Sequence, residues 1–216
     1  EQWDMTSGSY GINATNAWSQ STGKGITVAV IDNGVLTDHP DLEGQLLPGY
    51  DFISDAERAR DNDGYDADPY DEGDWNEPGE CPTPNGADRG RPSSWHGSHV
   101  AGTIAARTNN GDGVAGVAPD AKIVPIRFLG RCGSDGANLV DAITWASGGK
   151  VNGVPVNKNR AQVINMSLGG PGACTRFLQK TIDSAVARGS IIVAAAGNSD
   201  EDAGNAIPAS CENVIT

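Results

Sequence analysis

Apolar positions along the chain fall into short β-branched runs separated by stretches with helical spacing. Residues 26–31, Ile-Thr-Val-Ala-Val-Ile, are bounded by Gly25 and by Asp32-Asn33-Gly34, which predicts a buried strand ending in a turn. Residues 122–129, 162–168 and 190–196 are similar runs closing in glycine or asparagine, as parallel strands covered on both faces do. Helical patterns lie between them at 96–107, at 137–147 with Leu139, Ile143 and Trp145 on one face, and at 176–188 with Phe177, Ile182 and Val186. This alternation predicts an α/β fold with a three-layer, mostly parallel sheet and helices on both faces, in which ligands collect beyond the carboxyl ends of the strands. Asp32, Ser167 and Asn198 stand at such ends. Residues 54–95 have little periodicity and many Asp, Gly, Pro and Asn, so they predict a long irregular insertion before the helix that opens at His96.

Composition narrows the function classes. A chain of 216 residues with 38% hydrophobic content can bury one sizeable core. Its longest apolar runs are far shorter than the roughly 20 residues of a membrane-spanning helix. Fifteen Lys and Arg against 28 Asp and Glu give a net charge of −13, which argues against nucleic-acid binding, since phosphates need a basic face. Much of the acidic excess lies between Asp55 and Asp74, either as a solvated loop or as a site for a hard cation. Cys81, Cys132, Cys174 and Cys211 show no metal-ligand spacing, so an even count favours two disulfides and an oxidising compartment over four free thiols. Three pairings are open. The start, Glu1-Gln2-Trp3-Asp4, has no signal-peptide pattern, which fits either a cytosolic or an already processed chain.

Taken singly, the polar residues at the strand ends have ordinary explanations. Asp32-Asn33-Gly34 suits a tight turn, His96 and His99 three residues apart suit a capped or packed helix start, and Asn198 suits the end of a strand. Their order and flanking residues say more. Val30-Ile31-Asp32-Asn33-Gly34-Val35, followed by His39-Pro40-Asp41-Leu42, resembles the aspartate motif of subtilisin-like serine proteases. His96-Gly97-Ser98-His99-Val100-Ala101-Gly102-Thr103 resembles their histidine motif. The stretches 113–119, 165–170 and 194–198 continue the series in the family's order.

The resemblance implies a secreted, monomeric serine endopeptidase acting on protein or peptide substrates, with residues 1–216 as the N-terminal two-thirds of one peptidase domain carrying the insertion at 54–95. His96 would be the general base, Asp32 its orienting partner and Asn198 the oxyanion donor, because a serine hydroxyl attacks only when an imidazole takes its proton. His99 would be structural. Gly130, Gly133 and Ser134 on one side, and Ser167, Leu168 and Gly169 on the other, would clasp an extended peptide as flanking strands. Ala195, Ala196 and Gly197 would wall a roomy pocket for the residue before the cleaved bond, with Asp200, Glu201 and Asp202 near its floor as a solvated loop.

Calcium is the expected cofactor. The resemblance implies one site built from Asp41, Thr108, Asn110, Asp112 and Val114. A second is read from alternating carboxylates around a central glycine, with Asp61, Asp63, Tyr65, Asp66 and Asp68 as donors and Asp71 as a further oxygen. The expected fold implies the disulfides Cys81–Cys132 and Cys174–Cys211. The family's serine sits in a Gly-Thr-Ser-Met-Ala string that this sequence does not contain. The expectation is therefore a chain inactive as it stands, either one piece of a nicked enzyme whose C-terminal fragment carries the serine or a part of a longer protein; the alternative is a truncated, noncatalytic peptide-binding fragment.

Overall fold

A computed structural model describes residues 2–6, 8–81 and 88–216. Strand β1, Thr27–Asp32, reads as continuously apolar because both its faces are covered: Val28 and Val30 enter one core, Ala29 and Ile31 the other. Around it lie β2 (Tyr50–Asp51), β3 (Lys122–Arg127), β4 (Val163–Met166), β6 (Ile191–Ala194) and β8 (Val214–Ile215), all parallel, in the order β2-β3-β1-β4-β6-β8. A separate antiparallel pair joins β5 (Gly170–Pro171) to β7 (Ala206–Ile207). The short helices α1 (Ala14–Ala17) and α2 (Ala56–Ala59) lie outside these layers; the long ones are α3 (His96–Ala105), α4 (Gly136–Ala146) and α5 (Arg176–Ala187). The α3 residues Ala101 and Ala105 pack on Val28, Val30 and Ile123. Leu139, Ile143 and Trp145 of α4 and Leu178 and Ile182 of α5 cover the opposite face with Ile31, Ile126, Ile164 and Ile192. The fold is the expected three-layer α/β arrangement.

Several expectations about detail are corrected. The α5 face toward the core is Leu178, Thr181, Ile182 and Ala185, while Phe177 is 64% exposed and Val186 points outward. The buried set follows the i, i+3, i+4 rule, which the five-residue step from Phe177 to Ile182 does not. Strand β3 ends at Arg127, because the amides of Phe128 and Leu129 both donate to the Asp32 carbonyl at 2.7 and 3.0 Å. The chain thus leaves the sheet beside that aspartate. Pro125 occupies an inner strand, yet it stands beside Gly49, before the pairing of β2 begins at Tyr50.

The insertion is less irregular than its composition suggests. Asp55 accepts from the amides of Glu57 and Arg58 and starts the four-residue α2. The rest is tied down by single bridges of Asp51 to Asp66, Val35 to Tyr70 and Asn76 to Arg91, and by the Arg60 guanidinium 3.6 Å over the Trp75 ring. Beneath it the buried Arg127 donates to Asp51 and Asp61, each at 2.6 Å, and to the Ala59 carbonyl. A fully buried guanidinium between two carboxylates anchors the insertion to β3, and nothing in the periodicity of the sequence signals it.

Candidate active site

Asp32 is the last residue of β1 and His96 the first of α3, and the helix starts close enough to the strand for their side chains to meet. The His96 Nδ1 lies 2.9 Å from both carboxylate oxygens of Asp32. Gly97 makes the approach possible: a Cβ there would stand 2.1 Å from the Gly34 carbonyl and 3.0 Å from the Asp32 Cβ. Asp32 is completely buried, whereas the His96 side chain is 47% exposed. Burial pushes the Asp32 carboxyl up, while the bonds from His96 and the Asn33 amide pull it back. An ionised Asp32 accepting from Nδ1–H leaves Nε2 as the base. Among the described residues, the side-chain hydrogen bonds of His96 go to Asp32 alone.

Asn33 sits between strand and helix. Its side chain accepts from the Gly97 amide at 2.7 Å and donates to the Ser94 hydroxyl at 3.1 Å. Ser94 in turn donates to Asp74 through its amide at 2.6 Å and its hydroxyl at 3.1 Å. Sequence reasoning missed Asn33, Asp74 and Ser94, since the last two come from an insertion without periodicity.

The dyad opens onto a cleft of about 570 Å³ lined by Gly130, Gly133, Ser134, Ser167, Leu168, Gly169 and Asn198, so the residues expected to flank a peptide face one hollow. Their conformations differ. Residues 130–133 close as a tight turn, with Gly130 and Gly133 bonded both ways and Cys132 at φ 65°, where an extended strand was expected. A neighbouring hollow of about 380 Å³ shares Ser167–Gly170 and Asn198 and adds Ala195, Ala196, Gly197 and the exposed Asp200, Glu201 and Asp202. Asn198 therefore stands where the two hollows join. Gly197, at φ 103°, makes the turn that delivers it.

The first expected cation site gathers around Asp41, which is buried and receives the Asn110 amide and the Val114 N–H at 2.8 Å each. Gly113 is required there, because a Cβ would lie 2.2 Å from the Asp41 Oδ2. Asn110 also accepts from the Asp112 amide, and the Thr108 hydroxyl is buried without a partner. Both Asp41 oxygens thus take N–H donors, on the kind of irregular loop from which a hard cation draws its oxygens. The Gln2 side chain, which sequence reasoning missed, bonds both the amide and carbonyl of Ala115 and ties the N-terminal segment to this loop. Of the second expected set, Asp61, Asp63 and Asp66 bring ligand atoms within 4.8 Å of one another. Tyr65 turns its hydroxyl to Asn138 and Asp141 of α4, Asp68 caps the Tyr70 amide, and Asp71 is buried against the Gly73 amide. Asp66 is pushed up, first by burial and then by neighbours including Asp63, which is the electrostatic cost that a cation would relieve.

The four cysteines form two disulfides. Cys81–Cys132 ties the insertion to the 130–133 turn, and Cys174–Cys211 ties the segment after β5 to that after β7. No helix of the described residues is long and apolar enough to cross a membrane.

Known proteins resemble this chain over its whole length. The chain is 53% identical over 218 residues to an extracellular protease of Xanthomonas campestris pv. campestris, covering 100% of this chain and 36% of that protein. It is 50% identical to an extracellular basic protease of Dichelobacter nodosus, with the same coverage. It thus spans about a third of the length of these curated relatives. A solved structure described as proteases from Pseudoalteromonas arctica PAMC 21717 superposes with a TM-score of 0.94 at 48% identity, over 99% of this chain and 61% of that one. The profile described as the Subtilase family matches residues 23–216, and the chain belongs to that family.

Proposed function

We propose that this chain carries the base half of the catalytic machinery of an extracellular serine endopeptidase acting on proteins and peptides. The observation that supports it most directly is the Asp32–His96 pair, with Nδ1 2.9 Å from both carboxylate oxygens, lining the cleft. In this reading a serine outside the present sequence supplies the nucleophile. His96 Nε2 takes the hydroxyl proton as the oxygen attacks the scissile carbonyl, and Asp32 holds the imidazolium that forms. The Asn198 amide donates to the negative oxygen of the tetrahedral intermediate. His96 then protonates the departing amine, leaving an acyl-enzyme that water hydrolyses by the reverse sequence. Residues 130–134 and 167–169 flank the substrate backbone, and Ala195, Ala196 and Gly197 wall the pocket before the cleaved bond.

Calcium would be held at Asp41 with Thr108, Asn110, Asp112 and Val114, and at Asp61, Asp63 and Asp66. The ion would supply positive charge that offsets the crowding of Asp63 and Asp66 beside Asp61 and draws the loop at Asp41 together. Identity of about half to proteins named extracellular proteases, together with the disulfides, supports secretion.

Treating the native preparation with a serine-directed fluorophosphonate, with and without a calcium chelator, tests the reading. Label on a polypeptide that contains or co-purifies with this chain is the expected result, reduced by chelation. A preparation that binds peptides and takes no label would make the chain a binding module instead.

A further inference from the structure

We propose that Ser94 and Asp74 are positioning residues that hold the catalytic dyad through Asn33, an inference that rests on the reading of Asp32 and His96 given above. Nothing regular in the fold requires an insertion residue to lie behind the dyad, yet four hydrogen bonds run there in one direction. The Ser94 hydroxyl donates to Asp74 Oδ2 at 3.1 Å and its amide to Oδ1 at 2.6 Å; the Asn33 amide donates to the Ser94 hydroxyl at 3.1 Å; the Gly97 amide donates to Asn33 Oδ1 at 2.7 Å. Asn33 also donates its backbone N–H to Asp32 Oδ1 at 2.9 Å. One asparagine therefore touches the carboxylate that orients the base and the first turn of the helix that carries it.

The orientation of that asparagine is otherwise ambiguous. An amide side chain presents a donor and an acceptor of nearly equal size, and rotating it by half a turn exchanges them. If Nδ2 faced Gly97, two N–H groups would oppose each other and the Gly97 amide at the start of α3 would lose its acceptor. The Ser94 hydroxyl could serve as either donor or acceptor toward Asn33. Asp74, an acceptor with 8% exposure, takes the hydroxyl proton and so leaves Ser94 only a lone pair to offer. The charge of Asp74 thus fixes the Ser94 proton, which fixes the Asn33 amide, which fixes the approach of His96 to Asp32. Arg91 of the insertion lies 3.7 Å from Asp74 Oδ2 and forms an ion pair with it. The strain at Trp95, whose φ of 52° is uncommon for a bulky residue, is consistent with Ser94 and His96 each being held from its own side.

The test uses two preparations. In this chain, the downfield NMR signal of the His96–Asp32 shared proton is recorded for the parent, Ser94→Ala and Ser94→Thr. In the active protease, kcat and KM are measured for the same variants. Ser94→Ala should broaden or lose the signal and lower kcat about tenfold with KM little changed, as a small misplacement of the base would, while Ser94→Thr, which keeps the hydroxyl, should restore both. Asp74→Asn should fall between them. A parent without the downfield proton would overturn the reading of the dyad and this inference with it. A parent that shows it, with Ser94→Ala folded and unchanged in signal and kcat, would overturn this inference alone.

Discussion

His96 Nδ1 lies 2.9 Å from both carboxylate oxygens of Asp32, and the aspartate is wholly buried while the ring reaches the cleft. Burial raises the Asp32 carboxyl above its ordinary 3.8, so the folded chain holds that proton to higher pH than the unfolded one. The contribution of this group to stability is therefore complete below about pH 3.8 and is lost as pH rises through its folded value. Asp32→Asn should remove that slope and leave the chain at least as stable near neutrality, while lowering kcat of the active protease by about 10⁴. Thermal melts across pH and a peptide-hydrolysis assay check the two halves.

Asn198 is exposed where the two hollows meet, and its proposed task arises only when negative charge develops on the substrate. Asn198→Ala should reduce kcat by about 10²–10³, the range for one oxyanion donor in this enzyme class, with KM little altered. Steady-state kinetics on one peptide would show it; a change confined to KM would place Asn198 in substrate binding instead.

Two glycines of α3 separate packing from propensity. A Cβ at Gly97 would stand 2.1 Å from the Gly34 carbonyl, whereas one at Gly102 meets nothing within 4 Å. Gly97→Ala should cost about 1–3 kcal/mol and push His96 away from Asp32. Gly102→Ala should be neutral or stabilise by about 0.5–1 kcal/mol, because alanine has less backbone entropy to lose. Denaturant unfolding of both variants provides the comparison.

Calcium should raise the thermal midpoint, and a chelator should reverse the gain; at 100 times the dissociation constant, one ion adds about 2.7 kcal/mol. Asp41→Ala should abolish the response of the buried loop site. Asp63→Ala, at the exposed member of the acidic cluster, should remove only its own share, because the two sets share no residue. Calorimetric titration of parent and variants measures the stoichiometry directly.

Much of this protein is legible in its residues. The runs at 26–31 and 122–129 are apolar on consecutive positions because β1 and β3 are covered on both faces, whereas in β6 Ile192 and Ala194 are buried and Ile191 is exposed. The sequence alone pointed to a parallel sheet and put Asp32 at the end of β1, while the structure ends β6 at Ala194 and carries Asn198 in the loop beyond it. The motifs around Asp32, His96 and Asn198 are local strings, and local strings survive without coordinates. Tertiary structure decided what depends on residues meeting across long separations. The buried Arg127 reaching Asp51 and Asp61, the chain from Asp74 through Ser94 and Asn33 to Gly97, and the contact of Gln2 with Ala115 join segments whose sequences carry no mark of one another. Polar partners leave no periodic trace, because a hydrogen bond needs one donor and one acceptor at the right point, whereas a core needs a repeating pattern.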